Sequence, residues 1–125
     1  MDALDVSRRT YEILVRIGGH PAPRVRAWTG EEWGSRDAPG VIVLNRPGAF
    51  RSMLLPPNDL TAAEAYLFGD VEFEGDLFSI LDFAARMAES NKTGVAKLRL
   101  LRLLRQLPED SERQDQARTR LQGLR

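Results

Sequence analysis

Residues 65–77 read AYLFGDVEFEGDL, and the fold turns on this stretch. From 70 to 74 acidic and apolar residues alternate strictly. Val71 and Phe73 fall on one side, Glu72 and Glu74 on the other, which is the period of a β-strand with one covered and one wet face. Gly69 is the expected stop of a short helix, at the position where a left-handed residue commonly ends one. Gly75 ends the strand, and Asp76 is placed to cap the helix that follows.

Upstream, residues 4–17 form the first expected helix, with Leu4, Tyr11, Leu14, Val15 and Ile17 as a rough apolar stripe. Gly18 and Gly19 stop it, and Pro21 and Pro23 prevent a restart. Residues 24–28 alternate basic and apolar, 31–35 can return as a hairpin partner, and the β-branched run 41–44 reads as a buried strand. Asn45 and Pro47 mark a helix start, and Pro56–Pro57 set its limit near Leu55. Thr61 with Glu64 has the spacing of a capping box. Downstream of Asp76, the spacing predicts a helix with Leu77, Ile80, Leu81 and Ala84 on one stripe and Phe78 and Phe83 beside it, closing at Ser90–Asn91. The last strong helix is expected over 93–107, where Pro108 stops it. The expected architecture is α+β: a small, mainly antiparallel sheet (24–28, 31–35, 41–44, 70–74) with helices on one face.

The chain of 125 residues suits one domain. It has no cysteine, so disulfides and thiolate chemistry are excluded, in keeping with a reducing compartment. No apolar run approaches the roughly 20 residues needed to cross a bilayer, and the opening MDALDVSRRT lacks a secretory pattern, so a cytoplasmic location is expected. Net charge is zero, but the charges are sorted. Residues 59–82 hold seven acids (Asp59, Glu64, Asp70, Glu72, Glu74, Asp76, Asp82) and no Lys or Arg; residues 92–105 hold five bases (Lys92, Lys97, Arg99, Arg102, Arg105) and no acid. Such sorting either marks a face that meets a charged partner or lets the two segments neutralise each other side by side.

Catalytic motifs are missing. The single histidine, His20, sits between Gly19 and Pro21, and with no cysteine it makes no transition-metal set. Gly18–Gly19 follows a helix and is not a phosphate loop. The serines lack a strand–turn–helix setting for a nucleophile. The run 70–81 has a glycine in the sixth place of a calcium loop, but its twelfth place is Leu81 where a bidentate Glu is required. The 93–107 helix is basic and amphipathic: Ala96, Leu100, Leu103, Leu104 and Leu107 form one stripe, Arg99, Arg102 and Arg105 the opposite side, and Leu98 and Leu101 the flanks. Such a helix can lie on an anionic lipid surface or pack as an ordinary core helix. Neutral overall charge argues against nucleic acid.

The stretch 65–77, with a helix ending in Ala65-Tyr66 and Gly69, the strand, and Gly75-Asp76-Leu77 opening the next helix, resembles the N-terminal domain of cyclopropane-fatty-acyl-phospholipid synthases. The preceding VIVLNRPGAFRSMLLPPNDLTAAEA, residues 41–65, is similar to that domain as well, and the resemblance spans about residues 25–107. More loosely, the glycine–strand–glycine–aspartate unit resembles the sterol-carrier-protein fold. The resemblance implies an accessory, lipid-handling domain over 1–108, with 109–125 leading to an S-adenosylmethionine-dependent methyltransferase domain that acts on unsaturated acyl chains of phospholipids. That cofactor and the catalytic residues would belong to the following domain, so none is assigned to this chain, nor is any metal. Expected contacts with lipid or partner are Tyr66, Phe68, Phe73, Phe78 and Leu81, with Arg99, Arg102 and Arg105 on the basic helix. Expected partners are a phospholipid surface at the inner membrane face or acyl chains, with the chain's own catalytic domain or a second copy as the alternative, and no nucleic acid. Whether the chain is one piece of a longer protein or a stand-alone lipid-binding version stays open.

Overall fold

A computed structural model describes residues 1–90 and 94–109. In chain order the elements are α1 (Ala3–Gly18), β1 (Arg24–Arg26), β2 (Glu32–Trp33), β3 (Gly40–Leu44), α2 (Ala49–Leu54), α3 (Asp59–Leu67), β4 (Val71–Gly75), α4 (Leu77–Glu89) and α5 (Gly94–Gln106). The class is α+β, with, among the described residues, five helices and a four-stranded open sheet in the order β2-β1-β3-β4. The expected tail over 109–125 lies, beyond Glu109, outside the described residues.

The sheet is mixed and mostly antiparallel. β1 pairs antiparallel with β2, and β3 antiparallel with β4, but β1 and β3 run parallel, Val25 opposite Ile42. Register sorts the side chains by face. Ile42 lies opposite Phe73 and Leu44 opposite Val71, and with Val25 and Trp33 these residues point toward the helices. Val41 opposite Glu74, and Val43 opposite Glu72, share the other face with Arg24, Arg26 and Glu32. All five residues of β3 are buried, although among the described residues helices supply core residues to only one of its faces. The second cover is charged: Arg26 of β1 reaches across β3 to the Glu74 carboxylate, its Nη2 at 2.8 and 2.6 Å from the two oxygens. The aliphatic stems beneath these head groups shield Val41 and Val43.

The inner face carries the core. Phe50, Leu44, Val71, Val25 and Val6 are fully enclosed. α1 supplies Val6, Tyr11, Leu14 and Ile17. Tyr11 donates its hydroxyl to the Pro23 carbonyl at 2.8 Å and lies 6.3 Å from the Trp33 ring, tying α1 to the strand entrance. α5 packs on α1 and α2, with Leu104 and Leu107 buried and Leu100 and Leu103 half-buried against the cluster. Arg51 of α2 closes the far end of α5. Its guanidinium donates to the carbonyls of Arg105 (3.1 Å) and Leu107 (3.0 Å) and to the Glu109 carboxylate (2.6 Å). Those carbonyls have no partner within the helix, and a cation is favoured there.

Several local expectations shift. Asn45 does not cap α2; its amide donates to the Gly69 carbonyl at 2.9 Å, holding the end of β3 to the turn before β4. Gly48 takes the cap position without a side chain. α3 starts before Thr61, because Asn58 is the cap and accepts from the Thr61 amide (2.8 Å) and hydroxyl (3.0 Å). On α4 the buried face is Ile80 and Phe83, with Met87 half-buried, while Leu77, Leu81 and Ala84 are exposed. The cap at Asp76 is as expected: its carboxylate accepts from the amides of Phe78 (2.9 Å) and Ser79 (3.4 Å). The acidic and basic segments do not neutralise each other through the α5 arginines. Arg99, Arg102 and Arg105 make no ion pair with a described acid, whereas Glu74, Asp70 and Asp82 face Arg26, Arg46 and Arg86.

Gly69 (φ 77°) and Gly75 (φ 75°) both take the left-handed conformation. Nothing lies near a Cβ added at Gly69, whereas at Gly75 it would strike the Pro39 carbonyl oxygen, which accepts the Asp76 amide. Gly69→Ala should therefore cost about 1 kcal/mol from backbone strain alone, and Gly75→Ala clearly more. Asp76→Ala should cost about 1 kcal/mol through the lost cap, and Glu72→Ala close to nothing. A urea denaturation series on these four variants checks the ranking.

Burial raises the Tyr11 phenol above the ordinary tyrosine value. The unfolded chain then loses this proton first, from about pH 10, while the folded chain keeps it. In that window the native state binds more protons, so stability falls as pH rises. Tyr11→Phe is expected to cost about 1 kcal/mol at neutral pH through the lost hydrogen bond and to flatten the alkaline loss. Denaturation midpoints measured stepwise across alkaline pH report both effects.

Candidate functional site

Where five helices meet, they leave a half-open groove of about 520 Å³, within the range of sites that hold small apolar ligands. Leu14 and Ile17 of α1 form part of the floor, with Met53 and Leu54 of α2. Ala62 of α3 and Ala84, Met87 and Ala88 of α4 form walls, and small residues there leave the space open. Leu100, Leu101 and Leu104 of α5 line the remaining side. The polar lining is confined to Asn58, Asp59 and Lys97.

The groove exists because of how the helices are phased. Ile80, Phe83 and Met87 turn α4 toward the sheet and α1, and Arg86 fixes that orientation by donating to the Gly18 carbonyl (2.8 Å) and to the Pro21 carbonyl. A Cβ added at Gly18 would press on the Phe83 ring, so α1 and α4 meet at a position open only to glycine. Leu77, Leu81, Ala84 and Ala88 then share a second stripe at helical spacing. The lower part of that stripe enters the groove, and the upper part, Leu77 and Leu81, is exposed. One apolar surface thus runs along α4 into the groove.

The expected contact residues are distributed over three places. Tyr66 and Phe73 are brought together, stacked with ring centroids 5.4 Å apart and planes within 3°. Tyr66 is 52% exposed and sits one turn beyond the groove residue Ala62 on α3. Leu81 belongs to the stripe just described. Phe78 is 83% exposed and Phe68 half-buried, and neither lines the groove. Arg99, Arg102 and Arg105 are exposed and lie off the stripe of α5 that lines it. Sequence reasoning missed the groove residues Ala62, Ala84, Met87, Ala88, Lys97 and Leu101 as a set. Each belongs to an unremarkable helical pattern, and only packing assembles them.

Two strand-to-helix turns carry close neighbours. At the β3–α2 turn the Pro108 carbonyl lies against Gly48, and at the β4–α4 turn the Asp76 carboxylate occupies the helix amides. Asp70 is 1% exposed, with Arg46 Nε 3.7 Å from its Oδ1, and it anchors the start of β4 rather than lining a cleft. Among the described residues no group of three acid, histidine or cysteine side chains is placed to hold a metal ion, and no helix is long and apolar enough to cross a membrane. Comparison with protein-family models, with curated proteins and with solved structures finds no match to this chain.

Proposed function

We propose that this chain is a non-catalytic lipid-handling module, of the kind found as the N-terminal domain of cyclopropane-fatty-acyl-phospholipid synthase-type enzymes, and that its groove takes an acyl chain. The observation that carries the reading is the groove itself: about 520 Å³, walled by alanines, floored by leucine, isoleucine and methionine, and continuous with exposed Leu77 and Leu81. An acyl chain gains roughly 0.8 kcal/mol for each methylene it buries, so even partial seating is worth several kcal/mol. Lys97 at the edge can meet a carboxylate or phosphate head group. The arginines of α5 add attraction to an anionic surface, about 1 kcal/mol each where they reach it. In this reading the methyl transfer belongs to a further domain, and this module presents or orients the lipid near the inner membrane face. Exposed Phe78 favours a second reading, docking on that catalytic domain or on a second copy.

Titration with a fluorescent fatty acid tests the groove. The expected result is saturable binding that Ala88→Trp weakens about ten-fold or more, a loss of at least ~1.4 kcal/mol, with an unchanged circular dichroism spectrum. Binding indifferent to Ala88→Trp would remove the groove from the proposal. Co-sedimentation with vesicles, with and without anionic lipid, should show binding that weakens at high salt. Vesicle binding absent even at low salt would favour docking.

The chain alone is expected not to bind S-adenosylmethionine, since its sequence holds no glycine-rich strand–loop–helix unit. Isothermal titration should give no saturable heat, and micromolar binding would contradict the assignment.

A further inference from the structure

β4 is an edge strand, and its pairing leaves one row of backbone groups unused. Partners in the β3–β4 ladder include Val41 with Glu74 and Val43 with Glu72, and the Asp76 amide donates to Pro39 while the Asn45 amide donates to Asp70. Hydrogen-bonded and non-hydrogen-bonded pairs alternate in an antiparallel ladder. The even-numbered residues of this stretch therefore turn their N–H and C=O groups toward β3, and Val71, Phe73 and Gly75 turn theirs outward. Among the described residues nothing hydrogen-bonds to these outward groups. The opposite edge, β2, is two residues long, whereas β4 is five. Proteins commonly blunt an exposed edge with charged side chains, proline or a bulge; β4 has no proline, lysine or bulge, and its only charges, Glu72 and Glu74, are acidic.

The two sides of this edge differ in chemistry. On the outer face stand Glu72 and Glu74. On the inner face Phe73 is half-buried beneath Tyr66, and α4 begins immediately afterwards with exposed Leu77 and Phe78. A strand added here would place alternate side chains opposite carboxylates and opposite apolar groups. The sheet already shows what suits its outer face: β1 reads Arg24-Val25-Arg26, and Arg26 binds Glu74 through both carboxylate oxygens. A second copy of β4 would instead set Glu72 and Glu74 against their own counterparts, a like-charge pairing that destabilises a ladder.

We infer that the free edge of β4 is a docking site for an extended segment of a partner protein that alternates basic and apolar residues. The added strand takes main-chain hydrogen bonds from Val71, Phe73 and Gly75, and a basic side chain on it meets Glu72, since Arg26 already holds Glu74. This is strand addition, with affinity from the backbone and selectivity from alternate side chains.

A short capped peptide alternating Lys and Val is the probe, with a Glu/Val peptide and a backbone N-methylated Lys/Val peptide as controls. The Lys/Val peptide should bind, slow the hydrogen exchange of the Val71 and Phe73 amides, and weaken with salt. N-methylation should abolish binding. Glu72→Lys, at an exposed position, should weaken the Lys/Val peptide about ten-fold and favour the Glu/Val peptide, with an unchanged circular dichroism spectrum. Unchanged exchange at those two amides, or equal binding of the two peptides, would overturn the inference. So would concentration-dependent protection of the same amides without peptide, since the edge would then belong to a second copy.

Discussion

The structure depends on β3 being buried on both faces. A five-residue apolar strand, Gly40–Leu44, cannot leave either side to water without losing much of the free energy that orders the sheet. On one side the solution is ordinary: Ile42 and Leu44 meet the cluster built from α1, α2, α4 and α5. Among the described residues no helix contributes core residues to the other side, where long side chains with wet head groups lie. Arg26 and Glu74, on the two strands flanking β3, join hands above Val41 and Val43. An exposed ion pair of this kind contributes little by its charge. Its value lies in holding two aliphatic stems over two valines.

This arrangement also explains why the helices crowd onto one face and why their packing leaves a groove. With only the inner face available, α1 and α4 lie close to the strands and α5 stacks on α1 and α2. Contacts at the ends of elements set the spacing: Arg86 on the carbonyls of Gly18 and Pro21, Arg51 on the end of α5, Pro108 against Gly48. Between these fixed ends the walls of the groove carry alanines, so the helices cannot close over it by side-chain bulk. An apolar groove held open by peripheral polar contacts suits a module that takes up and releases a hydrophobic chain.

The acids that stand out in the sequence have structural duties: Asp76 caps α4, Glu74 spans the sheet, Asp70 anchors β4 from a buried position. The arginines of α5 and Tyr66, Leu77, Phe78 and Leu81 of α3 and α4 remain at the surface.

The sequence by itself determined the α+β class, the two-faced strand before Asp76, the helix cap at that aspartate and the left-handed glycine at 69. Each follows from forces acting over a few residues: side-chain alternation, hydrogen bonding to nearby amides, and the steric cost of a Cβ at positive φ. The caps at Asn45 and Thr61 were misread because a side chain near a helix start can serve a distant partner or an earlier cap equally well. Tertiary structure alone decided the parallel pairing of β1 with β3, the rotation of α4 and the groove. The amphipathic pattern of α4 admits two adjacent apolar stripes, and the choice between them rests on Phe83 fitting against Gly18 and Arg86 reaching across to α1. Those contacts join residues more than sixty positions apart, and no local pattern encodes them.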